Sequence, residues 1–122
     1  MTKRILYVED NAQNKRLVRK ILVSRGYEVL EAEDGLAGVE ITKHELPDLI
    51  LMDINIPGMD GLEATGVIKA TTETKHIPVI ALTANAMRGD AERFLAAGCD
   101  GYLPKPINMT ELLETVRGFL GE

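Results

Sequence analysis

Short apolar segments alternate along the chain with longer segments in which apolar residues recur every three or four positions. Residues 49–52 form an unbroken apolar run, which predicts a strand buried on both faces, as in a parallel sheet. Residues 5–8 and 77–82 have the same character. Residues 27–31 are more polar and residues 101–103 form a shorter run, so we expect these two strands at the sheet edges.

The intervening segments predict five helices, with polar caps before the first, third and fifth: Asn11, Asp60 and Asn108. Gly26 is expected to end the first helix and Pro47 to stop the second. The third helix is expected to run to about Thr72 and the fourth over residues 86–97, with Gly89 weakening its start. Helical spacing predicts two core stripes, Leu36, Ala37, Val39 and Ile41 in the second helix and Leu112, Leu113, Val116, Phe119 and Leu120 in the fifth.

Regular alternation of five strands with five helices predicts an α/β domain with helices on both faces of a parallel sheet. Because the first, third and fourth strands are the most apolar, they should be central. This arrangement corresponds to a single flavodoxin-like, doubly wound (βα)5 sheet with strand order 2-1-3-4-5. We expect residues 1–122 to form one domain.

Composition narrows the functional classes. The net charge of −5 argues against direct DNA binding. The single cysteine, Cys99, has no internal disulfide partner, which fits a reducing compartment. No apolar run reaches the roughly 18 residues of a membrane span, and the start of the chain lacks a signal-peptide pattern. We therefore expect a cytoplasmic protein.

Polar residues follow the predicted strands: Glu9 and Asp10 follow the first, Asp53 and Thr83 end the third and fourth, and Lys105 follows the fifth. Because parallel strands end at one edge of the sheet, these side chains should converge there. Carboxylates without histidine or cysteine favour a hard cation such as Mg²⁺. A hydroxyl and an ammonium beside it suit phosphoryl oxygens, and an aspartate can form an acyl phosphate.

Each of these residues also has an ordinary structural explanation. Glu9 and Asp10 could be solvated acids near a helix start, Thr83 could simply close a strand, and Lys105 could be a surface cation. Their common position at one sheet edge favours a phosphoryl-transfer site over four unrelated coincidences.

The sequence closely resembles the receiver domains of bacterial two-component response regulators, and the resemblance covers essentially the whole chain. It rests on four stretches, residues 8–11, 53–61, 77–84 and 105–106. The resemblance implies that Asp53 is the phosphoacceptor and that Thr83 and Lys105 bind phosphoryl oxygens. It implies that Mg²⁺ is ligated by Asp10 and Asp53, by Glu9 mainly through water, and by the backbone carbonyl of Asn55. It also implies a cis peptide bond before Pro106.

The resemblance further implies a phosphorelay role, with a histidine kinase or histidine phosphotransfer protein as donor. The chain would be a switch protein with Mg²⁺-dependent self-phosphorylation and autodephosphorylation rather than an enzyme. Thr83 and Tyr102 would move on phosphorylation and alter the face of the fourth helix, fifth strand and fifth helix, where a downstream protein binds. For Tyr102 a half-buried edge aromatic is the alternative. The chain starts at Met1 and stops one helix after Lys105, so we expect no DNA-binding or catalytic output domain. Both a stand-alone receiver and a receiver of the hybrid-kinase type fit the sequence.

Two other functional classes fit parts of the pattern. Hydrolases of the haloacid-dehalogenase type also use an aspartyl phosphate and Mg²⁺, but they carry an acid two residues after the nucleophile, where this chain has Asn55. A flavin- or nucleotide-binding module would need a glycine-rich first turn, and here that turn is Glu9-Asp10-Asn11.

Overall fold

A computed structural model of the chain describes residues 2–54, 60–84 and 90–122. Five parallel strands form one sheet in the order β2-β1-β3-β4-β5, which confirms the predicted topology. The strands are β1 (Arg4–Val8), β2 (Glu28–Ala32), β3 (Leu49–Asp53), β4 (Val79–Thr83) and β5 (Gly101–Pro104). The helices are α1 (Ala12–Ser24), α2 (Gly35–Glu45), α3 (Gly61–Ala70), α4 (Asp90–Ala96) and α5 (Met109–Leu120).

The helices cover both faces of the sheet. Val18 and Leu22 of α1 and Leu112 and Val116 of α5 are buried against one face. Buried residues of α2, α3 and α4 (Val39, Ala64, Ile68, Phe94) pack against the other. Every residue of β3 and β4 is buried, as expected for central strands covered on both sides.

The helix starts follow from local chemistry. The side chains of Asn11, Asp60 and Asn108 each accept a hydrogen bond from the backbone N–H three residues later, as predicted. Asp34 caps α2 in the same way, a role that the sequence reading did not identify. Gly26, just beyond α1, has a φ of 92°, a conformation that glycine adopts without steric cost.

The prediction that Leu36 and Phe119 belong to the core is wrong. Leu36 is 57% exposed and Phe119 is 39% exposed. In α2 the buried face instead passes through Gly38 and Thr42, because the helix backbone approaches β1 so closely that a Cβ at Gly38 would lie 2.9 Å from Val8. The ring of Phe119 lies at the sheet edge, where a Cβ on Gly101 would be 3.3 Å from it.

The third helix ends at Ala70, two residues before the predicted end. The predicted start of the fourth helix, including Gly89, lies outside the described residues. Within the described part of the chain, no helix has the length and apolar character needed to cross a membrane.

Candidate functional site

The carboxyl edge of the sheet gathers the residues predicted to carry chemistry. Asp53 ends β3 and Thr83 ends β4, while Glu9 and Lys105 directly follow β1 and β5. The strand register keeps these ends level, since Asp53 lies opposite Leu82 and Thr83 lies opposite Pro104. The loop after β5 is tied to β4 by a hydrogen bond of 2.7 Å from the backbone N–H of Lys105 to the carbonyl of Thr83.

Lys105 forms ion pairs with two buried acids. Its Nζ lies 2.8 Å from Oδ2 of Asp53 and 3.3 Å from Oε1 of Glu9. Burial alone would lower the pKa of the Lys105 ammonium, but its hydrogen bond and charge interaction with Asp53, followed by those with Glu9, raise this pKa above its ordinary value. Lys105 is therefore fully protonated at neutral pH and presents a positive charge to any anion at Asp53.

Three carboxylates lie close enough to share a cation. One oxygen from each of Glu9, Asp10 and Asp53 lies within 4.8 Å of the others, with Glu9 and Asp53 buried and Asp10 exposed. Three acids facing one ammonium leave an excess of negative charge, which a divalent cation would offset. Oxygen ligands with one accessible member fit Mg²⁺, which binds through one or two carboxylates and retains water.

The carboxylate of Glu9 is fixed by several donors. Its Oε1 accepts hydrogen bonds from the Tyr7 hydroxyl at 3.1 Å and the Asn14 amide at 3.3 Å, in addition to Lys105. Its Oε2 accepts from the backbone N–H of Asn11 at 3.4 Å. Burial and then the negative charge of Glu9 raise the pKa of Tyr7, so its hydroxyl stays protonated and donates.

The contact of Tyr7 with the site was missed in the sequence reading, which assigned Tyr7 to an apolar strand. A usable signal was present, because side chains two residues apart along a strand point to the same face. Tyr7 and Glu9 have this spacing. A hydroxyl two residues before a buried carboxylate therefore predicts their contact.

The two predicted switch residues differ in exposure. Thr83 is 2% exposed at the end of β4, whereas Tyr102 is 42% exposed. Tyr102 pairs with Ala81 across the β4–β5 ladder, and its ring lies 6.1 Å from that of Phe94 in α4, tilted by 57°. Tyr102 is therefore exposed to solvent and lies beside Phe94 of α4.

Two other predictions concern this edge of the sheet. The Lys105–Pro106 peptide bond is cis, as predicted. The predicted metal ligand Asn55 and the loop residues 85–89 lie outside the described residues.

A cleft of about 390 Å³ adjoins the carboxylates between α1 and the loop that joins β5 to α5. Its walls are mainly apolar, with the polar groups of Asn14 and Lys105 among them. The lining residues are Asn14, Leu17, Val18, Ala84, Lys105, Pro106, Ile107 and Met109. Leu17 is 50% exposed, so it offers an apolar side chain at the surface of this cleft.

Comparison with known proteins identifies the family. The sequence profile of the response regulator receiver domain matches residues 5–117. The polar-differentiation response regulator DivK of Brucella ovis is 44% identical over 122 residues, which cover 100% of this chain and 99% of that protein.

Solved structures of receiver domains support the same family. The receiver domain of a sensor histidine kinase from Pseudomonas aeruginosa PAO1, which has magnesium coordinated in its active site cleft, matches with a TM-score of 0.92 and 39% identity over 100% of both chains. A chain from the co-crystal structure of the Saccharomyces cerevisiae phosphotransfer protein Ypd1 with the receiver domain of Ssk1 matches with a TM-score of 0.90 and 27% identity. That match covers 97% of this chain and 88% of the other.

These matches favour a receiver over the hydrolase and flavin-binding alternatives, and they agree with the strand order and with the acids at the sheet edge. The chain therefore belongs to the response regulator receiver domain family of two-component and phosphorelay signalling.

Proposed function

We propose that residues 1–122 act as one receiver domain that accepts a phosphoryl group on Asp53 from a histidine kinase or histidine phosphotransfer protein. The observation that carries the proposal is the 2.8 Å contact between Lys105 Nζ and Asp53 Oδ2 within a cluster of three carboxylates. A carboxylate oxygen of Asp53 attacks the phosphorus, and the bond from phosphorus to the donor histidine nitrogen breaks. The nitrogen leaves with the electron pair and takes up a proton from water.

Lys105 and Thr83 have separate tasks in this transfer. Lys105 exchanges part of its contact with Asp53 for a phosphoryl oxygen, so its charge stays close to the negative charge that moves onto Asp53. The Thr83 hydroxyl binds a second phosphoryl oxygen. Asp10 and Asp53 would hold Mg²⁺ directly and Glu9 would hold it through water, together with the carbonyl of Asn55. Bound Mg²⁺ supplies positive charge to the phosphoryl oxygens.

The donor would dock at the cleft between α1 and the β5–α5 loop. The exposed Leu17 and the mainly apolar walls of this cleft suit the apolar surface around a phosphohistidine of the donor. Lys105 lies at the inner end of the cleft. A known complex of a phosphotransfer protein with a related receiver domain supports a donor of this class.

The acyl phosphate would act as a signal rather than as an intermediate in turnover of another substrate. The protein is thus a switch with Mg²⁺-dependent self-phosphorylation and autodephosphorylation, working in the cytoplasm and without binding DNA directly. Movement of Thr83 toward the phosphate would alter the packing of Tyr102 and Phe94. The face formed by α4, β5 and α5 would then present a changed surface to a downstream protein.

Phosphorylation at Asp53 is tested with acetyl phosphate and Mg²⁺, followed by intact-protein mass spectrometry. The wild type should gain one phosphate, and Asp53→Asn should gain none. A stable phosphate on the Asp53→Asn variant would contradict the assignment.

The switch is tested by amide NMR with and without beryllofluoride, which mimics the acyl phosphate. Shifts should extend from Asp53 through Thr83 and residues 101–104 to α4. If the shifts stay confined to the immediate neighbours of Asp53, a switch through Thr83 and Tyr102 is wrong.

A further inference from the structure

The hydroxyl of Tyr7 is a polar group in an apolar part of the core. Tyr7 is 0% exposed, in β1, among Ile5, Leu49, Leu51 and other apolar residues of the face covered by α1 and α5. A buried hydroxyl costs free energy unless it forms a hydrogen bond. Here it donates to Glu9 Oε1 at 3.1 Å, so its position is tied to that carboxylate.

The donors to Glu9 differ in rigidity. Lys105 reaches Glu9 on a long side chain, and Asn14 is a partly buried residue of α1. Tyr7, by contrast, is enclosed in a central strand, and its ring has two rotatable bonds that the core packing fixes. Tyr7 therefore sets the position of Oε1 more firmly than the other side-chain donors do.

The position of Oε1 matters because it shares the ammonium of Lys105 with Asp53. The two contacts, 3.3 Å to Glu9 and 2.8 Å to Asp53, place the charge between the acids. A Glu9 carboxylate with one donor fewer would attract Lys105 more strongly and draw it away from Asp53.

We propose that Tyr7 is a positioning residue of the phosphorylation site, which acts by fixing Glu9 so that Lys105 remains on Asp53. The proposal rests on Asp53 being the phosphoacceptor. It assigns to a buried core residue an influence on the rate of phosphorylation through Glu9 and Lys105, without contact between Tyr7 and the phosphoryl group.

The test compares Tyr7→Phe with a matched variant, Tyr27→Phe. Tyr27 is also buried, and its hydroxyl donates to a carboxylate, Glu122, at 2.6 Å, outside the carboxylate cluster. At saturating Mg²⁺, Tyr7→Phe should slow phosphorylation by acetyl phosphate by roughly fivefold or more, the size expected for losing a hydrogen bond to a charged group. Tyr27→Phe should react at the wild-type rate.

A second measurement needs no metal and no phosphorylation. In the metal-free protein, Tyr7→Phe should shift the backbone amide of Asn11 and the side-chain amide of Asn14, both of which donate to Glu9. In otherwise wild-type protein labelled at tyrosine Cζ, Glu9→Gln should shift the Tyr7 resonance and leave that of Tyr27 in place. These shifts test the contact even if wild-type phosphorylation fails, an outcome that would count against the proposed function instead.

A double-mutant cycle separates positioning from general destabilisation. If Tyr7 acts through Glu9, Tyr7→Phe should have little further effect on the rate in a Glu9→Gln background. An equal loss of rate in both backgrounds would overturn the proposal. A wild-type rate for Tyr7→Phe would also overturn it, whether or not the Asn11 and Asn14 resonances shift.

Discussion

Single residues at opposite ends of the sheet show how the same local contact serves different purposes. Tyr7 and Tyr27 are both buried, and each hydroxyl donates to a glutamate. Tyr7 meets Glu9 inside the carboxylate cluster, whereas Tyr27 meets Glu122 just beyond the end of α5. The first contact positions a carboxylate of the charged site, and the second links the end of α5 to the segment before β2 by a hydrogen bond.

Tyr27 predicts how stability changes at high pH. Burial, followed by the hydrogen bond to Glu122, raises its pKa to about 12 from an ordinary value of 10.0. The unfolded chain therefore loses this proton first, so the stabilising contribution is complete below pH 10 and is lost as the pH rises toward 12. Urea unfolding at pH 9, 10 and 11 should show a decline in the free energy of unfolding that is smaller in Tyr27→Phe.

A decline of equal size in Tyr27→Phe and the wild type would assign the alkaline transition to other groups. Lys105 also has a raised pKa. Because Lys105 is present unchanged in both proteins, its contribution cancels when they are compared between pH 9 and 11.

At the scale of elements, the start of α3 packs directly against the end of β3, the strand that carries Asp53. Asp60 caps the helix, and the backbone at Gly61 runs directly against the end of β3. A Cβ at Gly61 would lie 2.4 Å from the carbonyl oxygen of Asp53 and 2.9 Å from the Cα of Ile54. Glycine is thus required by space, since any side chain would push the helix away from Asp53.

Alanine substitutions at two glycines of α3 should therefore have opposite effects. Gly61→Ala should lower the free energy of unfolding by about 1–3 kcal/mol, because backbone atoms must shift to admit the methyl group. In Gly66→Ala the new methyl group meets no atom of the described residues within 4 Å, so this variant should raise the free energy of unfolding by about 0.5–1 kcal/mol through helix propensity. Urea unfolding of both variants decides the matter, and equal effects would show that the close approach at Gly61 has no energetic consequence.

At the scale of the whole molecule, the folded state concentrates negative charge that the unfolded chain disperses. The net charge is −5, and three of the acids meet at one edge of the sheet. Folding without a cation therefore works against charge repulsion, and a cation that binds only the folded state should stabilise it.

Asp10→Asn should weaken the stabilisation of the folded protein by Mg²⁺. Without metal, the variant should be more stable than the wild type because one of three repelling charges is gone. At a Mg²⁺ concentration about 100 times its Kd, the wild type should gain about 2.7 kcal/mol and the variant much less. Glu73→Gln, which removes the same charge from an exposed turn between α3 and β4, is the control and should gain as the wild type does. An equal gain in Asp10→Asn would exclude Asp10 as a ligand.

The sequence alone determined the order of elements, the strand topology and the identity of the residues at the strand ends. Unbroken apolar runs such as residues 49–52 have one stable location, a central strand covered on both faces. Once the strands are parallel, their ends must meet at one edge, so Asp53, Thr83 and Lys105 could be grouped without coordinates.

The tertiary structure decided how far each helix is rotated and which atoms touch. Helical spacing defines an apolar stripe only to within about one residue, so it did not show that Leu36 and Phe119 face outward. That choice depends on how closely backbones approach, as at Gly38 and Gly101. The sharing of Lys105 by Glu9 and Asp53 arises from distances of about 3 Å between residues at the ends of three separate strands. Distances of that kind are set by the packing of the whole sheet, and no local pattern encodes them.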